Sequence, residues 1–317
     1  MVNYLIVLMS VVLLALQFTA TKLYQLKFGS SPLSSARFNV IVRSVTSVIF
    51  LAATLIALRG LQFSGFSLLC AAVTAAACVM YTMLGFVAMR FGPVSVFTMF
   101  LMCGGMLLPY LFGVIFLNET INTARVVGMA LMLISLAMPL LDTRSEGAEK
   151  KKTPAVYWLL CAVIFVLNGF VSIFSKVHQI TPTGTVDTIE FVFLGNLCNF
   201  VISLIVYLIF RARAKPEPEP HADASEDHGR LAASLKSTVP VMIAVCAFTA
   251  VFDGVSYFLQ LIGAKNLDAS VLYPMITGGS IVLSAVAAFI FFKEKPKKFA
   301  FIGLIISFAA TFLFLAA

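Results

Sequence analysis

Long apolar runs separated by short polar breaks fill almost the whole chain. They cover residues 2–21, 38–58, 67–89, 94–117, 126–141, 155–175, 191–210, 237–263, 269–292 and 299–317. A helix rises about 1.5 Å per residue, so about 20 apolar residues cross a hydrocarbon core of about 30 Å. Each run predicts one membrane-spanning helix. The run at 126–141 is the shortest and reaches spanning length only if residues near Ile121 join it. Backbone in lipid must satisfy its own hydrogen bonds, which makes helices the structure such runs adopt. The predicted fold class is an all-α polytopic membrane protein with ten transmembrane helices.

Composition agrees, with 61% hydrophobic and 11% charged residues and a mean hydropathy of +1.02. A soluble domain carries about 25% charged residues. The net charge of +8 gives no reason to expect nucleic acid as a partner, because Lys and Arg sit mostly at the ends of apolar runs, where they set topology. The chain begins Met-Val-Asn-Tyr and enters the first run at once, with no basic segment and no small-residue cleavage site, so that run reads as a retained helix. The six cysteines lie inside apolar runs without metal-pair spacing and read as packing residues. The three histidines are scattered. No metal and no cofactor are expected.

Two halves of the chain resemble each other. Residues 90–128 overlie residues 265–303 at a constant offset of 175, which matches Ser95-Val96 with Ser270-Val271, Gly104 with Gly279, Glu119 with Glu294 and Gly128 with Gly303. Earlier, Thr21-Lys22-Leu23-Tyr24-Gln25 matches Ser175-Lys176-Val177-His178-Gln179 at an offset of 154. The extra residues lie at 211–236, a Pro-rich charged segment without apolar period that reads as a disordered surface linker. The predicted division is a first five-helix repeat at 1–141, an inter-repeat loop at 142–154 and a second repeat at 155–317 that carries the linker. Five helices is an odd number, so the second repeat enters the membrane from the opposite side. That arrangement is an inverted repeat, a common plan of secondary transporters.

Thr21-Lys22 near the end of helix 1, Arg37 opening helix 2, Gly92-Pro93-Val94-Ser95 into helix 4, Leu117-Asn118-Glu119-Thr120 and Gly128 form a recurring pattern. The second half repeats it with Lys176, Ala269-Ser270-Val271, Lys293-Glu294-Lys295 and Gly303. This pattern resembles the drug/metabolite transporter superfamily, in its ten-helix branch with two EamA-type repeats. The resemblance implies a permease or exporter in the cell membrane that moves a small metabolite, amino acid or amphipathic compound by alternating access. Many members carry Pro early in helices 4 and 9. Here Pro274 fills that place in helix 9, but Met99 holds it in helix 4.

Ionisable groups inside spans are costly and are functional candidates by default. Asp253 sits near the middle of helix 8 and shares a face with Tyr257 and Gln260. The corresponding stripe in the first half is Cys78, Thr82 and Gly85, so packing symmetry does not require the polar set. It can serve a ligand or a proton, and a structural hydrogen-bonded Asp is the competing reading. Arg43, about two turns into helix 2, is a candidate site residue or a snorkelling side chain. Asn196 and Asn199 in helix 7, Asn168 in helix 6, and Tyr273 and Thr277 in helix 9 complete a polar set expected to face one cavity with Asp253. Lys22 and Lys176 read as interfacial anchors, and Glu119 and Glu294 as residues that start the following helix.

No H-E-x-x-H, Walker loop or G-x-S-x-G is present, so a gradient must supply any driving force. Expected partners are a small-molecule substrate, the lipid bilayer and protons as coupling ion, with the chain a monomer or weak homo-dimer. Two other readings are a flippase for lipids or lipid-linked sugars and a membrane-embedded enzyme on a lipid substrate. The second needs clustered Asp, His or Arg at one face. Of 22 Lys and Arg, Arg43 is within a span and Arg59, Arg125, Lys176 and Lys265 lie on one side of the membrane, which leaves 17 for the other. The positive-inside rule then puts both termini outside, whereas ten-helix relatives of this type usually have both inside.

Overall fold

The computed structural model describes residues 2–29, 31–58, 60–92, 94–141, 154–213, 227–293 and 295–316. Every regular element among them is a helix: α1 Val2–Phe28, α2 Pro32–Leu58, α3 Gly65–Ala88, α4 Val94–Phe116, α5 Thr123–Ala137, α6 Ala155–Ile180, α7 Thr188–Arg213, α8 Asp227–Asn266, α9 Ala269–Phe292 and α10 Lys298–Ala316. Nine are long and apolar enough to cross a membrane, and α10 is apolar over the shorter stretch Lys298–Phe314. The short run after Ile121 gains its length from Thr123 and Ala124, and its span continues to Leu141. Asn122 starts it by accepting a hydrogen bond from the Arg125 amide at 2.8 Å.

One expectation on the linker is corrected. Helix α7 runs on to Arg213 and helix α8 begins at Asp227, so residues 211–213 and 227–236 of the expected linker are helical. Leu231, Ala232, Ala233 and Leu235 are strong helix formers, and the first proline after Pro220 is Pro240. The rest of the expected linker (214–226), residues 142–153 of the inter-repeat loop, Arg59 and Glu294 lie outside the described residues.

Partners in the bundle come largely from opposite ends of the chain. Helix α1 packs on α8 and α9, α6 on α3 and α4, α2 on α7, α4 on α9 and α5 on α10. Small residues let these helices touch backbone to backbone, as is common where lipid removes the hydrophobic drive for helix association. A Cβ on Gly104 would lie 2.1 Å from the Phe165 carbonyl oxygen, and at Gly279 the missing side chain instead makes room for the Val11 side chain, 2.8 Å from an added Cβ. Pro109 inside α4 cannot donate to the Gly105 carbonyl. Ser172 of α6 donates to that carbonyl at 3.2 Å instead.

The turn between α8 and α9 is held by charges from other elements, and two expectations change here. Lys176 is no interfacial anchor, being 4% exposed. Its Nζ donates to the carbonyls of Ala264 at 2.7 Å and Leu267 at 2.5 Å, where the end of α8 leaves acceptors unpaired. Glu119 does not start α5. Asn118 takes a left-handed backbone and the Glu119 amide bonds to Gly113 O at 3.1 Å, which folds the loop back over α4. The Glu119 carboxylate then accepts from the Ala269 and Ser270 amides at 2.6 and 2.8 Å, at the positive end of α9. Arg125 adds contacts to Asp268 at 2.9 Å, Ser270 Oγ at 3.1 Å and Thr120 O at 2.7 Å.

Gly104→Ala should force α4 away from α6 and cost about 1–3 kcal/mol, the usual range for overpacking. The melting temperature of the purified chain in detergent should fall. Gly60→Ala, with nothing within 4 Å of the added carbon, should leave it unchanged. Equal melting for both variants would remove the close contact as a determinant of the fold.

Candidate functional site

Helices α2 and α8 approach closely because Gly254 has no side chain: a Cβ there would lie 2.7 Å from both Phe50 and Thr46. Thr46 also donates to the Ala250 carbonyl at 3.2 Å. This contact places Asp253, next to Gly254, against α2. There the guanidinium Nη1 of Arg43 donates to Asp253 Oδ2 in an ion pair largely shielded from solvent. The same Nη1 donates to Asn196 Oδ1 at 3.0 Å. Asn196 is oriented in turn by donating from Nδ2 to the Val192 carbonyl at 2.9 Å. Arg43 therefore turns into the bundle rather than snorkelling out of it.

The cluster lines a cavity of about 380 Å³. All nine residues singled out from sequence line it: Arg43, Asn168, Asn196, Asn199, Asp253, Tyr257, Gln260, Tyr273 and Thr277. Several spend polar atoms on holding helices together. Asn168 donates to Leu101 O at 2.7 Å and joins α6 to α4. Tyr273 donates to Ser172 O at 2.6 Å and joins α9 to α6. Tyr257 shares a 2.9 Å hydrogen bond with Ser175. Gln260 donates to Ser256 at 3.0 Å, and Ser256 donates to Ser10 O on α1 at 2.8 Å. Thr277 sits buried among the lining residues, and its hydroxyl forms no hydrogen bond among the described residues.

Sequence reasoning missed several lining residues, Thr74 among them, and two bear on the chemistry of the site. Gln17 of α1 is one: its Oε1 is out of contact with solvent and has no donor among the described residues. The other is Tyr81, which accepts a weak 3.5 Å contact from the Cys78 thiol. Gln17 was legible as a lone amide in an apolar run, by the argument applied to Asn196. A smaller chamber of about 100 Å³ adjoins the large one and shares Arg43, Cys78, Tyr81 and Asn199 with it. Asn39, Thr82 and Ser203 line its far part. Glu190 is buried away from both, with Oε1 accepting from the Gln62 amide at 2.6 Å. No group of three or more His, Cys, Asp or Glu suited to a metal ion occurs among the described residues.

Residues 153–316 match the sequence profile of the EamA-like transporter family. The chain belongs to this family. An EamA-like transporter is a membrane permease of the drug/metabolite type, and the nine long apolar helices make this one an integral, multi-pass membrane protein. One solved crystal structure is 17% identical, covers 98% of this chain and 95% of its own, and superposes with a TM-score of 0.70. At that identity it shows the fold. No curated protein sequence matches significantly.

Removing one member of a buried ion pair strands the other and costs about 3–5 kcal/mol. Asp253→Ala should therefore lower the melting temperature of this transporter strongly. Adding Arg43→Met to the same chain should restore most of the loss. A double-mutant cycle on melting in detergent measures this coupling, and strictly additive effects would show that the two charges do not support each other.

Proposed function

We propose that this protein is a secondary transporter that moves a small metabolite, amino acid or amphipathic compound through the large cavity by alternating access. The single observation that carries the reading is the cavity itself. Its lining gathers the ion pair and the polar stripes of α6, α7, α8 and α9 within a largely apolar bundle. Ligand sites commonly combine an apolar wall with a few polar groups, in volumes of about 300–1,000 Å³.

The pattern of helix contacts supports a repeat-based mechanism. Exchanging each of α1–α5 with its counterpart in α6–α10 turns the pairs α1 with α8 and α6 with α3 into each other. It does the same for α4 with α6 and α9 with α1, and it leaves α2 with α7, α4 with α9 and α5 with α10 unchanged. On this reading the halves at 1–141 and 155–317 are inverted repeats, and rocking one against the other opens the cavity to alternate sides. Asp253, held by Arg43, is the group through which substrate or proton binding changes the balance between the two states.

In proteoliposomes loaded with a metabolite panel, Asp253→Asn should lower flux at least ten-fold and flatten its dependence on an imposed pH gradient. Undiminished flux with the parental pH dependence would make Asp253 structural. Gly195→Leu is the complementary test. Gly195 lines the cavity and an added Cβ there meets nothing within 4 Å. The leucine should fill the cavity and abolish flux while the protein melts as the parent does. Parental flux through such a variant would place the pathway elsewhere.

A further inference from the structure

The large cavity is electroneutral. Among the described residues, Arg43 and Asp253 are the charged side chains in its lining, and they pair with each other. A solute that brought its own net charge would enter a low-dielectric site whose opposite charge is already neutralised. It would lose hydration without gaining a free counter-ion.

Among the polar atoms of this lining that remain unspent, two sets are opposite in kind. Arg43 reaches both Asn196 and Asp253 through Nη1 alone. Its Nη2 and Nε have no partner among the described residues, so they remain donors without acceptors. Gln17, on the α1 wall, is the complement. Its Oε1 is a buried acceptor with no donor among the described residues. An orphaned buried acceptor costs about 1–3 kcal/mol, and rotation about the last side-chain torsion of glutamine is soft enough to present the amide to a ligand. Most neighbouring polar groups are committed to braces between helices: Asn168 to α4, Tyr273 and Tyr257 to α6.

We infer that the cavity selects electroneutral polar solutes, small zwitterions foremost, that offer an acceptor such as a carboxylate to Arg43 and an N–H or O–H donor to Gln17. This rests on the transport reading above and narrows it by excluding net cations and net anions.

The test uses the full chain in proteoliposomes with four labelled probes: leucine and glutamine as zwitterions, tetraethylammonium as cation and succinate as dianion. At least one zwitterion should be taken up ten-fold faster than either charged probe. Gln17→Leu should cut that uptake several-fold, in keeping with one lost hydrogen bond of about 0.5–1.5 kcal/mol. It should not lower the melting temperature, because it removes an unsatisfied amide. A purely structural Gln17 gives the opposite result, lower melting with parental transport per folded molecule, and overturns the residue's role. Faster uptake of tetraethylammonium or succinate overturns the selectivity and leaves the transport reading standing. Uptake of none of the four by well-folded protein overturns both.

Discussion

An arginine inside a bilayer needs an anion within reach of its guanidinium, and that need sets where three helices can go. Arg43 on α2 finds Asp253 on α8 and Asn196 on α7. The pairing is possible because Gly254 lets α8 close on α2 and because Thr46 fixes the height at which they meet. An unpaired Arg at membrane depth costs about 2.5–3.5 kcal/mol or more. The same pair that removes this cost also makes the cavity neutral, so stability and chemistry at this point share one cause.

Away from the ion pair, the bundle follows the rule that buried backbone must be satisfied. Where Pro109 deprives the Gly105 carbonyl of its helical donor, Ser172 supplies one. Where α8 ends, Lys176 supplies the donors, and where α9 begins, Glu119 supplies the acceptor. Each device comes from a different element than the one it completes. The helices are therefore locked by polar contacts at a few points and by glycine contacts between them, while their outer faces remain apolar.

How far the sequence foretold this depends on the range of the interactions involved. The spans were legible because hydropathy is a local property, and even the short run near Ile121 resolved as its flanking residues suggested. The polar stripe was legible because amides and carboxylates in apolar runs must face a partner or a cavity. What the stripe does there was not, since Asn168 and Tyr273 also serve as braces whose partners lie far away in the chain. Glu119 and Lys176 were misplaced for the same reason. A local rule assigned each to its own helix end, whereas the structure uses each at the turn between α8 and α9. The extra turns of α8 were hidden by charge, which signals exposure to water but does not forbid a helix.

The distance between Arg43 and Asp253 along the chain is 210 residues. A ribosome adds about 5–20 residues per second, so roughly 10–40 s pass between their syntheses. For that interval α2 sits in or beside the membrane with a cation whose counter-ion does not yet exist. The nascent first half must shelter Arg43 with water, lipid headgroups or the insertion machinery until α8 arrives. Assembly of this protein thus has a waiting step written into its gene order.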